Sequence, residues 1–138
     1  MCEKYMKIAL KEAKKAYKNK EIPIGAVIIK DNKVISKAHN LKNSKNIVTK
    51  HAEIIAIEKA CKKLKSWRLI DCELYVTLEP CMMCTGAIHQ SKIKKVYYSL
   101  DSEKFGFLKK FGKVPYEKGI LEEESLKLLN SFFLKKRI

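Results

Sequence analysis

The 138-residue chain carries 30 basic and 15 acidic residues, a formal net charge of +15, and 46% hydrophobic residues. These values exclude a disordered tail and fit one domain, spanning residues 1–138, that buries a core of its own. No apolar run reaches the roughly 18 residues of a membrane-spanning helix, and the N-terminus lacks a signal-peptide core, so we expect a cytoplasmic protein without membrane contact.

The first half of the chain predicts a helix, a hairpin and a second helix. Its segments in chain order are a helix over Tyr5–Tyr17, strands at Ala26–Ile29 and Val34–Ile35, a loop over His39–Lys50 and a helix over Ala52–Ala60. Apolar residues at helical spacing predict the helices. Pro23 and Gly25 end the first helix, and Asp31-Asn32 is the turn signal of the hairpin. Thr49 is the expected N-cap of the second helix.

The second half alternates strands and helices. Its segments are a strand at Leu74–Leu78, a helix from Pro80 to about Gln90, strands at Val96–Leu100 and Val114–Glu117, and a helix over Glu122–Lys136 with Leu126, Leu129, Phe132 and Phe133 on its apolar side. Pro80 is expected in the first turn of its helix, and Pro115 confines its strand to a sheet edge. The alternation predicts an α/β fold, a three-layer α/β/α sandwich with helices on both faces of one sheet.

Two short motifs at helix starts carry the chemistry. His51-Ala52-Glu53 opens the second helix, and Pro80-Cys81-Met82-Met83-Cys84 opens the third. Cys81 and Cys84 are three positions apart and therefore share one helix face, where the positive end of the helix dipole favours thiolates. With His51 they make three protein ligands, the number that leaves a catalytic zinc ion one position for water. We expect one Zn²⁺ per chain.

Glu53 is the candidate catalytic residue. A hydrolytic reaction at zinc needs a group that moves protons, and Glu53 lies two positions from a ligand without having to bind the metal. Positions two apart do not face each other in a regular helix. A bend at the helix start must therefore bring Glu53 to the metal.

Other interpretations of the cysteines fit the sequence less well. Five cysteines and a cytoplasmic location argue against disulfides, so Cys2, Cys61 and Cys72 are expected to be free thiols. A redox pair fits poorly with the Glu-Pro that precedes Cys81 and the two methionines between the cysteines. A closed structural zinc site would need a fourth ligand, and neither His39 nor His89 shows the spacing of one. The joint pattern favours a catalytic site.

The combination of H-x-E with P-C-x-x-C is typical of zinc-dependent nucleobase deaminases. In addition, the chain resembles the bacterial tRNA-specific adenosine deaminases, which convert the wobble adenosine to inosine. The matching segments are Glu21–Val27, His51–Ile54, Arg68–Asp71, Leu74–Cys84, Gly86–Ile88 and a tail with Phe132-Phe133 and Lys136-Arg137.

This resemblance implies a cytidine-deaminase-like sandwich with a mixed five-stranded sheet and a homodimer that contacts a tRNA anticodon stem-loop. The dimer contact would include the helix at Met82–Ile88. The substrate-binding residues that the resemblance implies are Asn40 on the flipped base, Ile24 near His51, and Phe133 and Lys136 on the anticodon loop. Phe132 and Phe133 are adjacent, so at most one of them points fully into the core, and the other is free to stack on a base.

The stretch Asp101–Lys110 departs from the family pattern Asp-x-Lys-x-Gly with its following run of small residues. Lys104 and Gly106 fit, Ser102 stands where the family has Asp, and the run of small residues is missing. In the family this loop borders the RNA site, so the departure affects the expected substrate more than the expected metal chemistry. Besides a tRNA deaminase, the sequence allows a deaminase of a free base or nucleoside, guanine or cytosine/cytidine. A non-catalytic, zinc-stabilised nucleic-acid-binding module is a third alternative, against which Glu53 argues.

The net charge of +15 supports an RNA partner. Lysine greatly outnumbers arginine, however, and such a bias also arises in a lysine-rich proteome. Charge alone therefore favours nucleic acid only slightly.

Overall fold

The computed structural model of the chain describes residues 3–136, apart from the side chain of Lys136. Helices and strands alternate in the order that the sequence predicts, with two additional short helices. The elements are α1 (Glu3–Lys18), β1 (Gly25–Lys30), β2 (Lys33–His39), α2 (Lys42–Lys45), α3 (Ala52–Leu64), β3 (Cys72–Leu78), α4 (Met82–Gln90), β4 (Lys95–Leu100), α5 (Leu108–Phe111), β5 (Tyr116–Lys118) and α6 (Glu122–Lys136). Among the described residues, no helix is long and apolar enough to cross a membrane.

The five strands form one mixed sheet in the order β2-β1-β3-β4-β5. β1 pairs antiparallel with both β2 and β3. β3 and β4 are parallel, as are β4 and β5. The parallel pair β3–β4 requires a crossover, which α4 supplies.

Alternation along the strands creates two cores, one on each face of the sheet. Val27 and Ile29 of β1 pack with α1, whereas Ala26 and Ile28 belong to the core that α3 and α4 cover. Side chains of successive strand residues point to opposite faces, so both faces of a central strand such as β1 are apolar. The result is the predicted three-layer α/β/α sandwich.

Gly25 allows α1 to approach the sheet closely. A Cβ at this position would collide with the backbone of Ala9 and Ala13 in α1. The glycine that the sequence marked as the end of a helical pattern therefore also permits close contact between α1 and β1.

Two predicted details of the helix starts are wrong. Thr49 is not an N-cap, because α3 begins at Ala52 and its N-cap is His51. Pro80 is not in the first turn, because α4 begins at Met82 with Cys81 as its N-cap. Both motifs therefore place their first candidate metal ligand in an extended conformation immediately before the helix.

The C-terminal third also differs from the prediction. β5 is displaced toward the C-terminus, with Pro115 just before it, and it forms the sheet edge as expected. On α6, Leu126 is 43% exposed instead of lying on the apolar side. The predicted loops His39–Lys50 and Asp101–Gly119 contain the short helices α2 and α5. Local hydrophobic patterns cannot predict such four-residue turns, since they are too short to show a period.

Candidate active site

A cleft of about 580 Å³ opens at the carboxyl ends of β3 and β4. Ligands of open α/β sheets bind at this edge, where the loops after neighbouring strands meet. The end of β3 contributes Leu78, the loop after it contributes Glu79 and Cys81, and the loop after β4 contributes residues 101–105. The start of α3 adds His51 and Glu53. The cleft therefore contains both sequence motifs.

His51 and Cys81 line this cleft and the buried Cys84 lies beside them, although the histidine and the cysteines belong to the starts of different helices. Their ligand atoms all lie within 4.8 Å of one another. His51 Nδ1 is 3.8 Å from Cys81 Sγ and 3.5 Å from Cys84 Sγ. Nitrogen and sulfur ligands on one tetrahedral zinc ion lie about 3.5 to 3.8 Å apart, so the three residues fit a zinc ion.

The protonation of the two thiols also suits a cation. A hydrogen bond with the Cys84 thiol lowers the pKa of Cys81 to about 4, and the same contact raises the pKa of Cys84. The hydrogen bond to Cys81 raises the pKa of His51. The pair of thiols therefore holds one negative charge at neutral pH, and a thiolate is the form of cysteine that binds metal.

Glu53 lies beside this cluster and is 4% exposed. Its carboxylate is within hydrogen-bonding reach of the Cys84 thiol, and burial raises the pKa of Glu53 to about 7. His51 precedes α3 in an extended conformation, so the rule that helical positions two apart face away from each other does not apply. The chain therefore bends before α3, and this bend lets Glu53 lie beside the candidate metal ligands.

Asn40 and Ile24 both line the cleft, as the resemblance implied. The Oδ1 atom of Asn40 accepts a hydrogen bond from the backbone N–H of Ala52 at 2.9 Å. An amide that accepts through its oxygen keeps its two N–H donors for another partner. Asn40 is thus placed both to close the first turn of α3 and to face a ligand.

The two adjacent phenylalanines of α6 have different environments. Phe132 is 5% exposed and packs edge-on against Tyr17, whereas Phe133 is 42% exposed and lines the cleft. The predicted division between one buried and one exposed ring is confirmed. The side chain of Lys136, the other predicted contact on α6, lies outside the described residues.

The alternative ligands considered from the sequence lie elsewhere. His39 Nδ1 is 3.0 Å from Glu12 Oε1 on α1, and His89 packs edge-on against Phe111. Cys61 and Cys72 are free thiols, and Cys2 lies outside the described residues. Within residues 3–136, the potential metal site therefore consists of three residues, His51, Cys81 and Cys84.

Comparison with known proteins identifies the family. Residues 2–137 match the MafB19-like deaminase family. A tRNA-specific adenosine deaminase of Aquifex aeolicus is 44% identical and aligns over 98% of this chain and 95% of its own length. A tRNA-specific adenosine deaminase of Bacillus subtilis is 42% identical over 95% of this chain and 88% of its own length. The chain belongs to the family of the tRNA-specific adenosine deaminases.

Solved structures agree with this membership. A structure from work on A-to-I editing by tRNA:A34 deaminases at the wobble position of transfer RNA matches this deaminase with a TM-score of 0.88. It is 38% identical and covers 91% of this chain and 99% of its own. A guanine deaminase from Bacillus subtilis matches with a TM-score of 0.71 and 31% identity, over 100% of this chain and 95% of its own. The deaminase fold is therefore shown, and the alternative of a non-catalytic zinc-stabilised module is not supported.

Two buried carboxylates of this deaminase were not predicted as functional residues. Glu79 accepts hydrogen bonds from the backbone N–H groups of Ser102 and Lys109, and Glu21 accepts from those of Asn43 and Ser44. Each one anchors a loop beside the cleft. For Glu79, the signal in the sequence is its position directly after the apolar strand β3, since a carboxylate there needs hydrogen-bond partners.

Proposed function

We propose that this deaminase converts adenosine to inosine by hydrolysis at the wobble position of a tRNA anticodon loop. The observation that carries the proposal is the convergence of His51, Cys81 and Cys84 with the buried Glu53 in one cleft. The relatives named as tRNA-specific adenosine deaminases support the choice of substrate. Those names do not favour the alternative of a free base or nucleoside.

One zinc ion per chain, held by His51, Cys81 and Cys84, is part of the proposal. One nitrogen and two sulfur atoms at the spacing of tetrahedral ligands suit this ion. When bound, zinc supplies Lewis-acid activation that makes a water molecule nucleophilic at neutral pH.

Glu53 moves the protons of the reaction. A carboxylate oxygen of Glu53 accepts a proton as water attacks C6 of the adenine ring, and it delivers a proton to the amino group that leaves as ammonia. Both transfers need a group that gains and loses a proton near the working pH. Burial brings the pKa of Glu53 to about 7, which matches this requirement.

The cleft admits an unpaired base. A paired base cannot reach a recessed site, so the target nucleotide must be flipped out or already lie in a loop. The N–H donors of Asn40 would bind an acceptor on the extruded base, and Ile24 would pack against its ring. The net charge of +15 would attract the phosphates of the anticodon stem-loop. Lys7, Lys11 and Lys14 contribute to this charge along one side of α1.

The chain is proposed to work as a homodimer in the cytoplasm. Met82 at the start of α4 is 68% exposed, and a Cβ on Gly86, one turn later, would meet no atom within 4 Å. An apolar helix face with a small residue at its centre suits close packing against a second copy. Free thiols at Cys61 and Cys72 fit a reducing compartment.

A substrate comparison tests the proposal. The purified protein is incubated with an anticodon stem-loop that has adenosine at the wobble position, and separately with free guanine, cytosine and cytidine. We expect inosine in the stem-loop and no turnover of the small substrates. A matched stem-loop with guanosine at the wobble position controls for non-specific deamination. Turnover of a free base or nucleoside without turnover of the stem-loop would refute the proposed substrate.

A further inference from the structure

Phe105 is the least buried phenylalanine that the structure describes, and its ring lines the active-site cleft. It is 68% exposed and lies on the loop after β4, in the segment that departs from the family pattern. The Nζ atom of Lys104 lies 5.4 Å from the centre of the ring. Phe133 is also exposed and lines the same cleft, and neighbouring exposed apolar side chains in a cleft are typical of a binding surface.

The backbone that carries Phe105 is anchored to the loop that carries the metal cysteines. Glu79 accepts hydrogen bonds from the N–H groups of Ser102 and Lys109, at 3.3 and 3.2 Å. The N–H of Phe107 donates to the carbonyl oxygen of Pro80 at 3.0 Å. These bonds flank Phe105 on both sides, so they set the position of its backbone relative to Cys81.

Gly106 makes this anchorage possible. A Cβ at position 106 would collide with the Glu79 carboxylate and with the carbonyl oxygen of Ser102. The loop therefore passes directly over Glu79, and only glycine fits at the crossing point. Glu79 is 4% exposed, so its carboxylate oxygens need these backbone N–H groups as hydrogen-bond partners.

Phe133 on α6 is a second exposed aromatic ring that lines the same cleft. Aromatic side chains with free ring faces bind unpaired nucleotides by stacking, and a cation over the ring adds to the attraction for RNA. A nucleotide extruded toward Glu53 would leave its sequence neighbours unstacked at the mouth of the cleft. An exposed ring there would replace the lost stacking.

We propose that Phe105 is a specificity-determining residue that stacks on a base next to the extruded adenosine, and that Glu79 is the positioning residue that holds it there. The inference rests on the proposed function, since it assumes an RNA substrate.

The first test compares Phe105→Ala, Phe105→Leu and Phe105→Tyr in steady-state deamination of the anticodon stem-loop. Loss of stacking removes binding energy without affecting the chemistry, so KM should rise by roughly 5- to 150-fold with kcat nearly unchanged. Phe105→Tyr should restore the wild-type KM, and Phe105→Leu should not, since leucine keeps the apolar volume but has no ring face. Trp67→Ala is the matched control, because Trp67 is also exposed and has Arg68 over its ring, but it does not line the cleft.

The second test identifies the partner base. Stem-loops with an abasic site on either side of the target adenosine are assayed with wild type and with Phe105→Ala. If Phe105 stacks on one of these bases, the substitution should have no further effect on KM when that base is absent. An equal effect of Phe105→Ala on every stem-loop would overturn the proposed contact.

The third test concerns Glu79. Glu79→Gln replaces one accepting oxygen by an N–H₂ group that faces the N–H donors of the loop. We expect a higher KM for the stem-loop with an unchanged zinc content, and little additional effect of Phe105→Ala in this background. Fully additive effects of the two substitutions would refute the positioning role.

The activity of the wild-type protein on the stem-loop distinguishes failure of the stacking proposal from failure of the proposed function. If it deaminates the stem-loop and Phe105→Ala has the wild-type KM, the stacking proposal is wrong and the proposed function stands. If the wild-type protein leaves the stem-loop unchanged, both are wrong.

Discussion

The side chain of Asn40 accepts a hydrogen bond from the backbone N–H of Ala52, with 2.9 Å between Oδ1 and N. Ala52 is the first residue of α3 and directly follows His51. The family resemblance assigns Asn40 to the flipped base. Asn40 therefore also satisfies one of the unpaired N–H groups at the start of α3, the helix that follows His51 and bears Glu53. We therefore expect a substitution at Asn40 to act on stability through Oδ1 and on the proposed base contact through the N–H donors.

Two substitutions at Asn40 should separate these roles. Asn40→Ala leaves the buried N–H of Ala52 without its acceptor and should cost about 1 kcal/mol or more of stability. Asn40→Asp keeps an accepting oxygen, so its melting temperature should stay closer to that of the wild type, but it loses the N–H donors. Both variants should lose kcat/KM on the stem-loop. If the activity of Asn40→Asp equals that of the wild type, Asn40 acts through α3 alone.

Zinc content should depend on Cys84, one of the proposed ligands, and not on Cys61. Cys84→Ser should reduce zinc from about one ion per chain to a small fraction and abolish deamination, since serine is a poor zinc ligand. Cys61→Ser is the control, because Cys61 is a free thiol outside the ligand cluster. Elemental analysis of protein purified without added metal gives the stoichiometry. Full zinc occupancy in Cys84→Ser would contradict the proposed site.

Glu53→Gln should keep zinc and the fold while losing turnover by at least roughly 10²-fold, the scale of lost general acid–base catalysis. Glutamine has nearly the same shape but cannot take up and release protons. Glu58→Gln is the matched control on the same helix, with an exposed side chain. Activity close to that of wild type in Glu53→Gln would show that another group moves the protons.

Gly86→Glu should convert the proposed homodimer to a monomer. A side chain at position 86 meets open space within one chain, so the monomer should fold, whereas a charge at the centre of a dimer contact should prevent association. Light scattering should give twice the 16.0 kDa mass of one chain for the wild type and 16.0 kDa for the variant. Gly86→Ala should remain dimeric. A wild-type mass of 16.0 kDa at micromolar concentration would disprove the dimer.

Asp101 should contribute stability that is lost in acid. The hydrogen bond from Tyr98, with Lys109 and Lys118 nearby, holds the pKa of Asp101 below its ordinary value of 3.8. A carboxyl with a lowered pKa stabilises the fold above its unfolded pKa, and this contribution disappears as pH falls through the folded pKa. Asp101→Asn should therefore lower the melting temperature at pH 7 and lower it less at pH 3. An equal loss at both values would indicate an effect unrelated to this charge.

Local patterns in the sequence predicted most of the fold. The helical spacing in Tyr5–Tyr17 and the apolar strand Ala26–Ile29 predicted α1 and β1, because burial on one face or on both faces leaves a period in the residues themselves. Similarly, the separation of Cys81 and Cys84 by three positions predicted neighbouring side chains, and their sulfur atoms do lie close together although Cys81 is the N-cap of α4 and not a helical residue. These features depend on neighbours within one or two turns, and the structure agrees with them.

Features decided by distant residues could not be predicted in this way. The start of α3 depends on Asn40, which lies 12 positions before Ala52, and Thr49 was therefore the wrong N-cap. The side of α6 that is buried depends on where α1 lies, so Phe132 is covered by Tyr17 while Leu126 is exposed. Hydrophobicity alone treats these apolar residues of α6 as equivalent.

The sequence by itself determined the chemistry proposed for the site, because His51, Cys81 and Cys84 are residue types that bind zinc and Glu53 is one that carries protons. Only the tertiary structure decided which loops and side chains line the cleft. Glu79 binds Ser102 and Lys109, which are 23 and 30 positions away, and this contact holds Phe105 at the cleft. The contact of Glu79 exists because β3 and β4 lie side by side and end at the same edge of the sheet. The periodicity within one strand carries no information about the loop at the end of its neighbour.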